Sequence, residues 1–454
     1  MSVQLRRSLG LTDVALFFVV ACTNLQWVAT AAAAGASSLP VWLIGCAAMF
    51  VPLSIVVMHL SRRFPDEGGM YVWSKRAFGP FGAFITGWTY WCSNLPYFPA
   101  LLYFTAGNAL FIAGGRAAGL EASPSYYITV SLIAFAVATL VNVFGLDVGK
   151  WLDDAGAVAR WAVTLVLVGL GAFAWWKFGS ATPLNPQTLR PSVHLKDVIF
   201  WSVIAFAWTG PEAVPFMAGE VKDAPRTIPR GLILAGPAIA AIYILGTLAV
   251  LVAVRAHEVN PLYGVMQAIG EVARRIGWSA AVPVSALLVT ISCLGSVTLW
   301  LGAVARIPFV AGIDRYLPES FGRMHPRWHS PVAALLAQAG ISALFIFAGQ
   351  GGTSVKGAYD VLVSSTVLIT LVPFLFLFAS AIKLRSPSKV AVCALVGLFT
   401  TAGAIVLAVF PPEDEPNKAL AVAKVLLLTA MVLGSGAAFY YWKRKANPPV
   451  RISQ

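Results

Sequence analysis

The sequence predicts an all-α integral membrane protein with twelve transmembrane helices, of which the first and the sixth are broken near their middle. Three observations support this fold class: the composition, a series of apolar runs, and an internal repeat that aligns the two breaks. Of the 454 residues, 58% are hydrophobic and 11% are charged, and the mean hydropathy is +0.78. A soluble domain has about 45–50% apolar and about 25% charged residues. The composition therefore indicates a membrane protein and excludes a soluble domain.

Apolar runs recur along the whole chain, and each is about as long as, or longer than, the ~20 residues that an α-helix needs to cross a bilayer. The runs at 80–113 and 280–310 are longer, so we expect them to tilt or to extend beyond the hydrocarbon. The twelve predicted spans are 11–34, 40–60, 80–113, 124–145, 151–176, 196–219, 230–254, 280–310, 331–348, 356–383, 388–409 and 418–442.

The distribution of basic residues predicts the orientation of the chain. The net charge is +13. With both termini in the cytoplasm, the cytoplasmic segments hold 21 Lys and Arg residues and the outer segments hold nine, while Arg160 and Lys424 lie within spans. This asymmetry follows the positive-inside rule. We therefore expect a multi-pass protein of the cell membrane, plasma or inner, with short cytoplasmic termini and no nucleic-acid partner.

The internal repeat relates the first span to the sixth. Leu11-Thr-Asp-Val-Ala-Leu-Phe-Phe and Leu195-Lys-Asp-Val-Ile-Phe-Trp-Ser are offset by 184 positions, and the same offset sets 24–28 opposite 208–212. Because the two copies lie five spans apart, the second enters the membrane from the opposite side. Inverted repeats with paired interruptions near the midplane are typical of secondary transporters, whose substrate site lies at the breaks.

Gly210-Pro211 predicts a real break in the sixth span. Proline has no N–H, and its ring clashes with the carbonyl group four residues earlier, that of Ala207, which costs about 3 kcal/mol or more inside a helix. Backbone groups freed in this way must face protein or a water-filled cavity. The alternative is a proline kink without a binding site, which is common in membrane helices.

Glu212 is the only acidic residue well inside a predicted span. Insertion of an Asp or Lys at the centre of a membrane helix costs roughly 2.5–3.5 kcal/mol, so some role must offset this penalty. Three roles are open: to take up a proton during transport, to attract the ammonium group of a substrate, or to accept hydrogen bonds that hold the unwound segment.

Other function classes lack their sequence features. No nucleophile–base pair, metal cluster or phosphate-binding loop is present, so we do not expect an enzyme. A channel would need a repeated, lined filter instead of two unique breaks. The five cysteines lie in apolar runs without the spacing of a metal site or a disulfide framework. We therefore expect no cofactor and no metal.

Several segments resemble the amino acid–polyamine–organocation (APC) superfamily of transporters. They are EVKDAPRTIPRG, FPDEGGMYVWSKRAFGPFGAFITGW, ARIPFVAGIDRYLPESFGRMHPRWHSP, TGPEA of the sixth span, and CLGSVTLW of the eighth. The resemblance implies a LeuT-like 5+5 inverted repeat in a single membrane domain. Residues 11–176 would form the first repeat, 196–383 the second, and 388–442 the two helices outside it.

The resemblance also implies a function. We expect a permease that moves an amino acid across the membrane by alternating access, independently of sodium, as a proton symporter or an antiporter. A polyamine or organic amine transporter of the same fold is the alternative. The expected partners are the small-molecule substrate, protons and the lipid bilayer, and the protein would be a monomer or a homodimer.

The same resemblance assigns the substrate site, residue by residue. Phe206 would cover the substrate, and Trp300 would supply a second aromatic wall, attracting a cationic group by ~0.5–2 kcal/mol. The alternatives are a tryptophan packed between helices and polar side chains that only bond a neighbouring helix. The full set of expected binding residues is Asn24, Leu25, Gln26, Trp91, Asn94, Tyr97, Phe206, Trp208, Thr209, Gly210, Trp300, Ser364 and Ser365.

The first break departs from the pattern of the superfamily. Many members have a glycine-rich triplet whose bare N–H groups receive the substrate carboxylate, whereas this chain has Asn24-Leu25-Gln26. The Asn and Gln amides can still donate to a carboxylate. The stretch NLPYFPALLYF is similar to a plant polyamine uptake branch. Amines therefore remain a rival to amino acids.

Arg160 and Glu212 are the expected coupling residues. In sodium-independent relatives a lysine in this stretch stands where related folds bind sodium, and Arg160 of DDAGAVARW falls on that position. A permanently charged guanidinium there can replace the ion and tie spans 1, 5 and 8 together. The alternative is an arginine that reaches cytoplasmic water by snorkelling.

Overall fold

The computed structural model describes residues 9–65, 68–117, 119–144, 146–191, 195–215, 218, 221–305, 319–322, 324–328, 330–411, 415 and 417–446. Within these residues the regular structure is helical. A five-residue π-helix, Cys46–Phe50, joins α3 to α4. The α-helices, numbered in chain order, are α1 Leu11–Cys22, α2 Leu25–Ala33, α3 Ser38–Gly45, α4 Val51–Arg63, α5 Met70–Cys92, α6 Asn94–Ala113, α7 Pro124–Phe144, α8 Leu146–Phe178, α9 Leu195–Ala207, α10 Ala224–Ala253, α11 Gly264–Ile276, α12 Ala281–Val304, α13 Val332–Gln350, α14 Val355–Lys383, α15 Ser388–Leu407 and α16 Lys418–Ala446.

Eleven stretches of the described chain are long and apolar enough to cross a membrane. They match eleven of the twelve predicted spans, and the sixth span is the exception because α9 has only 13 residues. At a rise of 1.5 Å per residue such a helix covers about 20 Å, less than the ~30 Å of a hydrocarbon core. The stretches are Leu11–Ala33, Ser38–Arg63, Met70–Ala113, Pro124–Phe144, Trp151–Phe178, Ala224–Ala253, Ala281–Val304, Val332–Gln350, Val355–Lys383, Ser388–Leu407 and Lys418–Lys443.

The first span is broken, but slightly earlier than the sequence predicts. Helix α1 ends at Cys22, Thr23 and Asn24 have extended backbones, and α2 begins at Leu25. The prediction that the interruption includes Leu25 and Gln26 is therefore wrong. The reason is the cap: Asn24 Oδ1 accepts a hydrogen bond of 3.1 Å from the Gln26 N–H, and such a cap starts a helix at the next residue.

The sixth span is interrupted after Ala207, where α9 ends. Gly210 has a φ of +125°, a backbone conformation that favours glycine. A Cβ atom added to Gly210 would lie 2.6 Å from the Sγ atom of Cys22 and 3.1 Å from its Cα atom. The end of α1 and the break after α9 are therefore in direct contact, and only glycine fits between them.

The remaining helices pack around these two breaks. Helix α12 crosses α8 closely at a pair of glycines: a Cβ atom on Gly156 would lie 2.8 Å from the Cα atom of Gly295, and the converse also holds. Small residues that let backbones approach are typical of helix contacts in membranes. An aromatic cluster joins the second span, the break in the sixth span and α10. It consists of Trp42, Phe50, Trp208 and Tyr243.

Candidate substrate cavity

A cavity of about 70 Å³ lies where the two breaks meet. Its walls come from the two breaks and from α5, α6, α8, α10, α12 and α14, in the position that the repeat predicts. Both polar and aromatic side chains line it. The lining residues are Val20, Ala21, Cys22, Thr23, Asn24, Trp27, Tyr90, Ser93, Asn94, Tyr97, Arg160, Phe206, Ala207, Thr209, Gly210, Glu212, Tyr243, Ser296, Trp300, Thr366 and Thr370.

Nine of the residues expected from the sequence lie in the wall of this cavity. They come from five different parts of the chain: the first break, α6, α8, the sixth span and α12. Because these segments are far apart in sequence, their convergence depends on the fold. The nine residues are Asn24, Asn94, Tyr97, Arg160, Phe206, Thr209, Gly210, Glu212 and Trp300.

Three other expected residues near the breaks lie outside the wall. Leu25 and Gln26 are buried in the first turn of α2, because the helix begins directly after Asn24. Trp208 is turned into the aromatic cluster, where its ring meets that of Trp42 edge-on at a centroid distance of 5.6 Å. The structure does not bring these three side chains to the cavity.

The remaining three expected residues also lie away from the cavity. Trp91 donates a hydrogen bond of 3.1 Å to Gln338 Oε1 on α13. Ser364 lines a separate, small cavity beside Glu415. Ser365 is fully buried and does not line either cavity. These side chains miss the cavity because successive residues of an α-helix point about 100° apart around the helix axis.

Helix α14 instead presents two threonines that sequence reasoning missed. Thr366 and Thr370 line the cavity. Positions four apart lie on the same face of a helix, so the two threonines form one polar strip. Their spacing in the apolar run is the only signal in the sequence that could have found them.

The first break is held by the side chain of Asn24. Its Oδ1 caps α2, and its Nδ2 donates a hydrogen bond of 3.2 Å to the Tyr97 hydroxyl. The Trp27 N–H also donates to the main-chain oxygen of Asn24 at 3.1 Å. The first turn of α2 therefore uses its N–H groups at positions 26 and 27 within the protein.

The second break is held by Glu212, which is 3% exposed. Its Oε2 accepts a hydrogen bond of 2.7 Å from the Gly210 N–H, and its Oε1 accepts one of 3.2 Å from the Tyr90 hydroxyl. Of the three roles open for this acid, the hydrogen bonds that hold the unwound segment are present. Each carboxylate oxygen has a further lone pair, so Glu212 can also accept a donor from the cavity.

Arg160 joins α8 to the first break and to α12. Its Nη1 donates hydrogen bonds to the carbonyl oxygens of Val20 (2.8 Å) and Thr23 (2.9 Å) at the end of α1. Its Nε donates a hydrogen bond of 3.3 Å to Ser292 Oγ, and its Nη2 donates one to Ser296 Oγ. The cation thus lies at the negative end of the α1 dipole, where it is favourable. The side chain is 9% exposed, and it bonds protein oxygens instead of snorkelling to water.

Tyr243 of α10 is a residue that the sequence did not reveal. Its hydroxyl oxygen lies 2.6 Å from the carbonyl oxygen of Cys22 and 3.2 Å from that of Ala207. These two residues are the last of α1 and α9, so one side chain bridges the two helix ends. A lone tyrosine in an apolar run carries no pattern that predicts this contact.

The cavity has an aromatic wall. The rings of Trp27 on α2 and Phe206 on α9 meet edge-on, with centroids 5.2 Å apart and an interplanar angle of 85°. Trp300 and Tyr97 add to this wall. Aromatic faces are suited both to apolar groups and to cations. Among the described residues, no cluster of three or more His, Cys, Asp or Glu side chains could hold a metal ion.

Comparison with known proteins agrees with this arrangement. Residues 9–444 match the family model described as amino acid permease. An uncharacterized transporter of Legionella pneumophila is 26% identical over 448 residues, covering 94% of this chain and 95% of the relative. A probable agmatine/putrescine antiporter of Lactococcus lactis is 25% identical, covering 65% of this chain and 62% of the relative.

A solved structure has the same fold. The crystal structure of MhsT in complex with L-phenylalanine superposes with a TM-score of 0.56 and 13% sequence identity, covering 92% of this chain and 98% of that protein. At this identity the likeness concerns the fold alone.

Proposed function

This chain belongs to the amino acid permease family, and we propose that it is a secondary active transporter that moves an amino acid across the membrane by alternating access. The family and the relatives are membrane transporters and not enzymes. The single observation that carries the proposal is the contact between the two breaks, with a cavity at the point of contact. Backbone that leaves a helix inside a membrane needs protein or water around it, and a substrate cavity supplies both.

The proposal includes the 5+5 inverted repeat. Residues 11–176 would form one half, 196–383 the other, and 388–442 would lie outside the repeat, with α9 and the chain after it as the sixth crossing. Two observations support it. The ends of α1 and α9 are 185 positions apart, one more than the offset of the sequence repeat. The fold is similar to that of MhsT over nearly its whole length.

We propose that transport is independent of sodium and is coupled to protons or to exchange. Arg160 supports independence of sodium, because its guanidinium group bonds oxygen atoms at the end of α1 and on α12, where it can replace a bound cation. Glu212 supports coupling, because it is the carboxyl group in the cavity wall and can exchange a proton there. The Lactococcus relative, described as a probable antiporter, favours exchange.

A polyamine or other organic amine is the second candidate substrate. The Lactococcus relative is described as a probable agmatine/putrescine antiporter. In this chain the capped start of α2, where Asn24 takes the place of a glycine-rich triplet, favours the same substrate class. The cavity's aromatic wall fits either candidate.

The excess of Lys and Arg in one set of loops supports a cell-membrane protein with both termini in the cytoplasm. We propose a monomer or a homodimer as the working state.

Reconstitution tests the proposed function. Purified protein in liposomes should take up at least one compound from a panel of the standard amino acids, diamines and polyamines. We expect the uptake to saturate, to be faster when the same compound is inside, and to be unchanged when choline replaces sodium. No uptake above that of empty liposomes would contradict transport, and ion currents far above carrier turnover would indicate a channel.

A further inference from the structure

The N–H groups at the two breaks are the donors that an anionic substrate would use, and those of Gln26, Trp27 and Gly210 already bond oxygen atoms of the protein. The start of a helix is a ready anion site because its first N–H groups have no partner within the helix. In a broken-helix transporter these groups point at the substrate. A substrate with a carboxylate therefore needs these N–H groups to be free of protein partners.

At the first break, Asn24 takes the place of such a carboxylate. Its Oδ1 lies 3.1 Å from the Gln26 nitrogen, and its main-chain oxygen lies 3.1 Å from the Trp27 nitrogen. Asn24 Nδ2 is in turn held by the Tyr97 hydroxyl at 3.2 Å. A substrate carboxylate would have to displace a capping group, which contributes typically about 1 kcal/mol to a helix.

At the second break, Glu212 plays the same part. Its Oε2 accepts the Gly210 N–H at 2.7 Å, and its Oε1 accepts the Tyr90 hydroxyl at 3.2 Å. The carboxyl group at this break is therefore a side chain of the protein. A substrate carboxylate at the same place would meet this second carboxyl group, and two carboxyl groups that share a site disfavour the state in which both are ionised.

Arg160 is the cation in the cavity wall, and most of its donors are in use. Four of the five N–H groups that a guanidinium carries are directed at protein oxygens, those of Val20, Thr23, Ser292 and Ser296. A bidentate grip on a carboxylate needs two parallel N–H groups. Arg160 does not have two to offer without leaving the end of α1.

The groups that remain suit a cation. Glu212 has spare lone pairs, Thr366 Oγ1 donates to its own helix at Leu362 O and can still accept, and Trp300 and Phe206 present aromatic faces. We propose that the substrate is an organic amine with an ammonium or guanidinium group and without a carboxylate. This inference rests on the proposed function and selects its second candidate substrate over the first.

Paired ligands test the inference, because each pair differs only by a carboxylate. Purified full-length protein is titrated with arginine and agmatine, ornithine and putrescine, lysine and cadaverine, and phenylalanine and phenethylamine, and affinity is read from thermal shift and calorimetry. We expect the amine to bind at least tenfold more tightly than its parent amino acid in one or more pairs. Tighter binding of the amino acid in every pair, or no binding of any amine, would overturn the inference.

Two variants separate the cap from the rest of the site. Asn24→Gly frees the Gln26 N–H, so we expect it to shift the amine to amino acid affinity ratio toward the amino acid by at least threefold. Asn24→Ser keeps an oxygen at the cap and is expected to retain the preference for the amine. An identical ratio in wild type and Asn24→Gly would show that the cap does not select the substrate and would contradict the inference.

Uptake assays keep this inference distinct from the transporter proposal. Uptake of an amino acid, together with tighter binding of that amino acid, would leave the transporter proposal standing and remove the amine inference. Tight binding of an amine without uptake into liposomes would support the amine inference and contradict the transporter proposal.

Discussion

Gly210 lies against Cys22 so closely that a single added methyl group would approach the Sγ atom of Cys22 to 2.6 Å and its Cα atom to 3.1 Å. The two residues belong to the two broken spans, and each lies beside a helix end that Tyr243 contacts. The close approach is the feature that makes one cavity out of two separate interruptions.

The first prediction concerns Gly210 itself. Gly210→Ala places a Cβ atom against Cys22 at a backbone φ of +125°, which L residues rarely adopt. Overpacking of this kind costs about 1–3 kcal/mol. We expect a lower melting temperature and at least a tenfold loss of uptake in liposomes. Gly403→Ala is the matched control, because nothing lies within 4 Å of the added Cβ atom in α15; equal behaviour of the two variants would contradict the close contact.

The second prediction concerns the hydroxyl group of Tyr243. Tyr243→Phe removes the bridge to the carbonyl oxygens of Cys22 and Ala207 while keeping the ring. A hydrogen bond contributes about 0.5–1.5 kcal/mol net, so we expect substrate affinity to fall by up to about tenfold in a folded protein. Tyr126→Phe removes a comparable bond of 3.0 Å, to Ala106 O, outside the cavity. A similar loss of affinity in both variants would mean that the Tyr243 bridge has no special role.

The third prediction concerns Glu212. Glu212→Gln removes the charge and one of the two oxygen acceptors that hold Gly210 and Tyr90. If the acid couples transport to protons, uptake by the wild type follows an imposed pH gradient, and uptake by the variant does not. Tyr90→Phe removes one hydrogen bond and leaves the carboxyl group, so it should retain the response to pH. The coupling role is excluded if Glu212→Gln responds to the gradient as the wild type does.

The fourth prediction concerns Arg160. Arg160→Gln removes the charge at the end of α1, and hydrogen bonds to charged groups are worth about 1.5–3 kcal/mol each. We expect uptake to be lost and the melting temperature to fall, with Arg160→Lys intermediate because an ammonium keeps the charge but has three donors. Wild-type uptake should be the same in sodium and in choline. A strict need for sodium would show that Arg160 does not replace an ion.

The sequence predicted the breaks better than it predicted the cavity wall. Proline, glycine and an acid inside an apolar run mark the sixth break at Trp208 to Glu212, and the repeat points to its partner in the first span. The sequence also places Leu25 and Gln26 in the break, but asparagine is a strong helix cap, and Asn24 starts α2 at the next residue. A capping preference is local chemistry and could have corrected the boundary.

The side chains that face the cavity depend on rotation about helix axes, which apolar runs do not define. The sequence predicts Ser364 and Ser365 in the wall, yet Thr366 and Thr370 line it, because a shift of one residue along a helix turns a side chain by about 100°. Tyr243 could not be found from the sequence for a different reason. Its role arises only when three distant segments meet, at Cys22, at Ala207 and in α10.

A density map of the protein bound to the tightest ligand of the paired titrations would show whether the two breaks form the binding site. We expect the ligand between the two breaks, within contact distance of Asn24 on one side and Thr209 on the other, with α1 and α9 both ending at the cavity. Ligand density elsewhere, or a first span that runs as one continuous helix, would contradict it.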